Sequence, residues 1–242
     1  PLHQYYGQMP QELHGKVATG VGDLDGDGIY DIIAGSPYAE NNQGMPYAGA
    51  ITMYSGVTGQ VIYRLSGQGP YEYFGSSVTR IYDINDDGAQ DFLVGAPGAS
   101  SGWPPNTGAA FLFSGLDGTL LRSHFGENLG DQFGGSIAGV IDIDRDGVKD
   151  YAIAADHADP SGLSDAGSVY LYSGATGAFL AQWDGPHDHA FYGNAICGTG
   201  AFLANDQIGI LIGSEWADPA GKVDAGTVDL KCYDPYLYVD GD

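Results

Sequence analysis

Cysteine is nearly absent. Cys197 and Cys232 are the only two in 242 residues, too few for a disulfide framework. Basic residues are almost as scarce, with 8 Lys and Arg against 31 Asp and Glu and a formal net charge of −23. A surface so poor in cations excludes nucleic acid and anionic membrane surfaces as natural partners. No apolar run approaches the roughly 18 residues that a spanning helix requires, so no membrane insertion of that kind is expected. Helical periodicity nowhere lasts beyond a turn or two. The six histidines do not converge on a nucleophile, and no Gly-x-Ser-x-Gly elbow occurs. His187-Asp188-His189 could begin a transition-metal site. Alternation on an extended chain would set its aspartate opposite the histidines, however, and no third ligand follows, so it reads as exposed linker. With no nucleophile, base and oxyanion site to be assembled, the chain is not expected to be an enzyme. No signal-type segment opens the sequence, which begins at Pro1 and fits a processed or trimmed chain.

Glycine and aspartate, by contrast, are abundant, and they are organised. An acidic cluster recurs three times: Asp23, Asp25, Asp27, Gly28, Ile29 and Asp31; then Asp83, Asn85, Asp87, Gly88, Ala89 and Asp91; then Asp142, Asp144, Asp146, Gly147, Val148 and Asp150. The starts lie 60 and 59 residues apart. Oxygens at positions 1, 3, 5 and 9, with the carbonyl of position 7 (Ile29, Ala89, Val148) turned inward, suit a hard cation that takes about 6–8 oxygen ligands. Calcium fits, one ion per loop and three per chain. Eleven aspartates at these positions would repel one another unless a cation drew them together. Glycine at position 6 permits the sharp turn. These loops are not EF-hands: position 12 is Ala34, Val94 or Ile153 rather than a bidentate Glu, and it falls in a strand-like run. Position 9 must therefore supply the closing carboxylate.

Two further landmarks keep the same period. His14-Gly15, Phe74-Gly75, Phe133-Gly134 and Tyr192-Gly193 open four units, and Ser55-Gly56, Ser114-Gly115 and Ser173-Gly174 follow aromatic-rich runs. Tyr233-Asp234 stands roughly where the fourth Ser-Gly should be. The units span about 13–70, 71–129, 130–187 and 188–242, with 1–12 as an N-terminal segment. Runs of 4–6 Val, Ile, Leu, Phe and Tyr residues, bounded by Gly and Asp, predict four short strands per unit. In the second unit these are Ser77–Ile81, Phe92–Val94, Ala109–Phe113 and Leu120–His124. In the third they are Ser136–Val140, Tyr151–Ala154, Ser168–Tyr172 and Phe179–Trp183. Repeated four-stranded antiparallel units that bury their faces only against neighbours are propeller blades. The expected fold is an all-β, four-bladed β-propeller, 1–242 forming a single domain.

Phe74-Gly75 and Phe133-Gly134, with Gly95-Ala96-Pro97 and the variant Gly35-Ser36-Pro37 around the Asp-rich loops, resemble the FG-GAP repeat of integrin alpha-subunit β-propellers. The resemblance covers residues 13–233. It implies that each loop joins the first and second strands of a blade and binds calcium through Asp23, Asp25, Asp27, the Ile29 carbonyl and Asp31, with the equivalent residues in units two and three. The segments Tyr54–Gly59 and Tyr172–Gly177 resemble secreted bacterial members. Two features depart from the family. Its rings have seven blades where this chain has four units, and the fourth unit lacks the metal motif, with Ala201, Leu203, Asn205 and Gly209 at the ligand positions.

Four units leave a closed ring or an incomplete one, and residues 1–12 could supply a strand that closes the last blade. Two strand spacings would separate Cys197 from Cys232, so no disulfide between them is expected, and Cys197 is expected to be buried near the ring axis. Of the 17 tyrosines, Tyr54, Tyr63, Tyr170 and Tyr172 read as packing between blades. Tyr38, Tyr47, Tyr71, Tyr73, Tyr233, Tyr236 and Tyr238 fall in connections and suit a contact surface. The expected function is a calcium-binding extracellular adhesion, scaffold or self-assembly module with a protein partner. The alternatives are a carbohydrate-binding propeller and a domain of a secreted hydrolase or lyase.

Overall fold

The computed structural model describes residues 3–102, 105–201, 208–218 and 224–232. Among these, regular structure is all β except for one 3₁₀ turn at Pro160–Gly162. Blade one consists of β1 (Ala18–Gly20), β2 (Ile32–Ser36), β3 (Ala50–Tyr54) and β4 (Val61–Ser66). Blade two has β5 (Ser77–Arg80), β6 (Phe92–Ala96), β7 (Ala109–Phe113) and β8 (Leu120–Phe125). Blade three has β9 (Ser136–Gly139), β10 (Tyr151–Ala155), β11 (Ser168–Tyr172) and β12 (Phe179–Asp184). Each is an antiparallel meander in chain order. Blade four contributes three described strands, β13 (Ala195–Ala201), β14 (Ile208–Ser214) and β15 (Thr227–Cys232), again in chain order. The expected strands of units two and three agree with these to within two residues at either end.

Alternation along each strand sends one set of side chains toward the preceding blade and the other toward the following one. Ile33, Ile51 and Met53 of blade one therefore meet Phe74, Phe92, Val94 and Ala109 of blade two in one core. Leu93, Ala110 and Leu112 meet Phe133, Tyr151 and Ile153 in the next. Ala152, Val169 and Leu171 meet Tyr192, Ile210 and Ile212 in the third. Each fully buried aliphatic or aromatic side chain contributes about 1.5–3 kcal/mol. The aromatic residue that opens each later unit wedges into the interface. Phe74, Phe133 and Tyr192 are all buried, and their backbone N–H groups bond the preceding blade at Ala48, Thr107 and Ala166.

Among the described residues the sheets do not close into a ring. The contacts of the inner strands run from β1 to β5 to β9 to β13, and no comparable packing joins the described part of β13 to β1. Residues 3–12 form no strand, and they lie on blade one rather than on blade four. His3 approaches Gly59 much as Tyr63 of blade one approaches Gly118 and Arg122 of blade two approaches Gly177. Tyr5 stacks on Tyr54 at 4.2 Å between ring centroids. The segment thus sits where the outer strand of a preceding blade would lie, and Tyr54 packs against it instead of against another blade.

The far face of blade four has no such cover. The register pairs Leu211 with Leu230 and Gly213 with Val228, matching Ile33 with Met53 and Gly35 with Ile51 in blade one. Ile51 and Met53 are fully buried, whereas Val228 is 72% exposed. Cys197, paired with Leu211 on the same face, is exposed, contrary to the expected burial. Among the described residues nothing packs over that face of blade four. Both cysteines are free, with β14 between their strands.

Candidate metal centre

Each Asp-rich loop joins the first and second strands of its blade, so the three loops emerge at one end of the molecule. Their winding follows from the aspartates. At position 1, one oxygen of Asp23 accepts the N–H of Gly26 at 2.7 Å and of Asp27 at 3.0 Å, and the other accepts that of Gly28 at 2.7 Å. Asp83 receives Asp87 and Gly88 in the same way, and Asp142 receives Asp146 and Gly147. Closing the chain around one carboxylate requires a left-handed residue at position 6, and φ there is +89°, +93° and +98° at Gly28, Gly88 and Gly147.

This winding gathers the acids. Ligand oxygens of Asp23, Asp25 and Asp27 lie within 4.8 Å of one another, as do those of Asp142, Asp144 and Asp146. In loop two, Asn85 takes the place of the central acid and donates its amide N–H to Asp87 Oδ2 at 2.8 Å. The position 7 residues Ile29, Ala89 and Val148 each donate their N–H to the position 5 carboxylate at 2.9 Å. That bond fixes the peptide between positions 6 and 7, directly before the position 7 carbonyl.

Position 9 stands apart from the trio. Asp31, Asp91 and Asp150 are fully buried at the start of the second strand. Asp31 Oδ2 accepts Leu24 N–H at 2.6 Å and Oδ1 accepts Gly56 N–H at 2.9 Å. Asp91 is held by Ile84 and Gly115, and Asp150 by Ile143 and Gly174. Each of these carboxylates therefore ties its loop to the turn between the third and fourth strands of its own blade; each oxygen of Asp31 and Asp91 keeps a second lone pair, whereas Asp150 Oδ2 also accepts the Asp144 N–H at 3.4 Å. Burial pushes Asp91 and Asp150 up to about 6, against the pull of these N–H bonds, and neighbouring carboxylates add to the rise. For Asp144 burial again leads, and repulsion from Asp146 and Asp142 raises it further. Asp87 is pushed upward by burial too, but bonds from Ser114, Ala89 and Asn85 outweigh it and leave the group below its ordinary value.

The role of the Ser-Gly landmark was not legible in sequence, although its recurrence was. Ser55, Ser114 and Ser173 donate to Oδ2 of Asp27, Asp87 and Asp146 at 3.4, 2.6 and 3.3 Å, and the following glycine caps position 9. A Cβ at Gly115 would lie 1.9 Å from the Gln90 carbonyl oxygen. Serine and glycine together thus clasp the far side of the loop. Blade four has lost both halves of this device. Gly209 occupies position 9, and the residue opposite it is Cys232, one place before the expected Tyr233. Leu203, Asn205, Tyr233, Tyr236 and Tyr238 lie outside the described residues.

The histidines play other parts. His14 bonds Ser36 Oγ at 2.8 Å and Tyr54 OH at 3.0 Å as a packing residue of blade one. His187 accepts the Asp218 N–H, while His189 stands 3.3 Å from Asp165.

Comparison with known proteins agrees with this arrangement. The FG-GAP repeat model matches residues 17–51, which hold β1, the first Asp loop, β2 and the start of β3. The chain is an FG-GAP repeat protein. It is 30% identical over 217 residues to chicken (Gallus gallus) integrin alpha-V and 28% identical over 218 residues to Xenopus laevis integrin alpha-5. These alignments cover 84% and 83% of the chain but 20% of each integrin, so it spans about a fifth of the length of the curated relatives it matches. Among solved structures, a rhamnogalacturonan lyase from Bacillus licheniformis superposes with a TM-score of 0.50 at 18% identity, covering 84% of this chain and 42% of that one. At that identity the likeness is one of fold. In this FG-GAP protein the loop between first and second strands is the recurring chemical element.

Proposed function

We propose that this FG-GAP chain is a calcium-stabilised, extracellular β-propeller module for adhesion, scaffolding or self-assembly. The observation that carries the reading is the convergence of three carboxylates in loops one and three, each loop clasped from the far side by its Ser-Gly turn. Asp23, Asp25, Asp27 and the Ile29 carbonyl would hold the first ion, with Asp31 adding a free lone pair. Asp83, Asn85, Asp87, Ala89 and Asp91 would hold the second, and Asp142, Asp144, Asp146, Val148 and Asp150 the third. A donor set made of oxygen alone suits a hard cation. Bound calcium supplies positive charge that turns repulsion among the carboxylates into a crosslink between loop and blade. Exposed acidic loops of this kind hold calcium where it is abundant, at about 10⁻⁴–10⁻³ M, which supports an extracellular setting. The similarity to integrin alpha chains points the same way and favours a protein partner.

Metal analysis after dialysis against calcium, together with thermal melts in calcium and in excess chelator, tests the proposal. Three equivalents of calcium and a higher melting temperature with calcium are expected. No bound calcium, or identical melts, would overturn it.

A further inference from the structure

At the end of the molecule opposite the Asp loops, each connection between second and third strands pairs with the segment that opens the next blade. Three positions there adopt a left-handed backbone at every junction. Between blades two and three they are Asn106, Gly130 and Gln132, with φ of +53°, +90° and +56°. Between blades one and two the same positions are all tyrosine: Tyr47, Tyr71 and Tyr73, at +53°, +60° and +55°. The equivalence follows from the bonds of Phe74 N–H to Ala48 O and Phe133 N–H to Thr107 O, which align the two junctions.

Left-handed backbone suits Gly and Asn and is unfavourable for a bulky aromatic residue. The second junction shows that the fold is made there without aromatics. At the third junction the same positions are Asp165, His189 and Phe191, also left-handed, so the backbone belongs to the fold, and what sets the first junction apart is an aromatic ring at all three positions. Nor are the rings absorbed into the core. Tyr47 is 40% exposed and Tyr71 49%. The rings brace one another, Tyr47 with Tyr71 at 5.5 Å and with Tyr73 at 6.2 Å, and Tyr38 joins Tyr47 and Tyr73 at 5.6 Å each. Tyr71 and Tyr73 form one wall of an open groove of about 420 Å³, whose remaining lining is Pro97, Gly98 and the Asn106, Gly130 and Gln132 positions of the next junction. This size falls within the range of small-ligand sites, about 300–1,000 Å³.

We propose that this groove binds a neutral oligosaccharide, which stacks on Tyr71 and Tyr73 and hydrogen-bonds to the amides of Asn106 and Gln132. The proposal goes beyond the adhesion reading, since a calcium-stabilised scaffold needs no such site. Sugar rings present polarised C–H groups on one face, which favour the negative face of an aromatic ring, while hydroxyls at the rim both donate and accept. Amide side chains offer both roles in return. Among the described residues no cation lines the groove, and the chain carries a net charge of −23. An acidic saccharide would therefore be repelled, and a neutral one is selected. The braced rings are already placed, so little conformational entropy is lost on binding.

The test is isothermal titration calorimetry of the chain in calcium with four neutral hexasaccharides (cello-, manno-, xylo- and galacto-configured), and with hexagalacturonate as the acidic probe. At least one neutral hexasaccharide should bind, and Tyr71→Ala and Tyr73→Ala should each weaken it tenfold or more. Asn106→Ala should weaken it less. Tyr82→Ala, exposed near the Asp loops, should bind as the parent does. Each variant is first checked for an unchanged melting temperature in calcium. A tyrosine variant that fails this check is replaced by Tyr71→Leu or Tyr73→Leu, which keeps bulk but removes the aromatic face and should show the same loss. No binding of any neutral probe up to 10 mM, tighter binding of the acidic probe, or binding indifferent to both tyrosine changes would overturn the proposal. None of these outcomes bears on calcium, which is read from the metal content and the melts.

Discussion

Position 9 of each loop does a different job from positions 1, 3 and 5, and substitutions should separate them. Asp27 meets only Ser55 and loop N–H groups, so Asp27→Ala should remove calcium from the first loop while leaving the metal-free melting temperature nearly unchanged. Asp31 is buried with both oxygens bonded. Asp31→Ala would leave the Leu24 and Gly56 N–H groups unpartnered, at a cost of about 1–3 kcal/mol for each buried donor, with or without metal. Chemical denaturation of both variants in calcium and in chelator distinguishes the two effects. The raised carboxyls set a pH dependence as well. Asp91 and Asp150 titrate near 6 in the metal-free fold against about 3.9 unfolded. The folded state therefore holds more protons between those values, and this contribution to stability is present at low pH and lost as pH rises through 6. Melts in chelator should show the protein losing stability from pH 5 to pH 7 through these two groups, whereas saturating calcium, which competes with the protons, should flatten or reverse that trend.

Among the elements, the second Asp loop is the informative one. Asn85 replaces a repulsion with a hydrogen bond to Asp87, which should make this loop the weakest calcium site and the one least disturbed by chelation. Asn85→Asp should accordingly tighten calcium binding there while lowering the melting temperature in chelator. Calorimetric titration paired with melts checks both signs, and a change of the same sign in both would contradict the assignment. The clasp was visible in sequence only as a recurring Ser-Gly. Its purpose depends on a turn about 24 residues away folding back onto the loop, a contact that antiparallel pairing creates and local patterning does not contain. The strands themselves were legible. Most are short runs rich in aliphatic and aromatic residues with glycine or aspartate close by, and blades two and three have the expected strands to within two residues.

At the scale of the whole molecule, the two faces of each blade are not alike in energy. Ile51 is sealed between blades one and two, so Ile51→Ala should cost about 2–5 kcal/mol by lost transfer energy and a cavity. Val228 holds the equivalent place on blade four and is open to solvent, so Val228→Ala should fall within about 0.5 kcal/mol of the parent. Equilibrium denaturation of the two variants gives the comparison directly. Thiol counting under denaturing conditions, on protein never exposed to reductant, should find two free thiols in the monomer, because β14 lies between the cysteine-bearing strands.

The sequence by itself determined the repeat length, the strands, the Asp loops and the loss of the fourth, since each is written in residues close together along the chain. Periodicity of two, glycine at a required left-handed turn and oxygen-bearing residues at fixed offsets all act locally. Tertiary structure alone decided that the described sheets form an open arc, that residues 3–12 lie on blade one, that Cys197 faces solvent and that the position 9 aspartates are tied to loop and turn by N–H bonds. Those outcomes depend on which face meets which neighbour. Every unit carries nearly the same pattern, so the pattern cannot say what stands beside the first blade or the last.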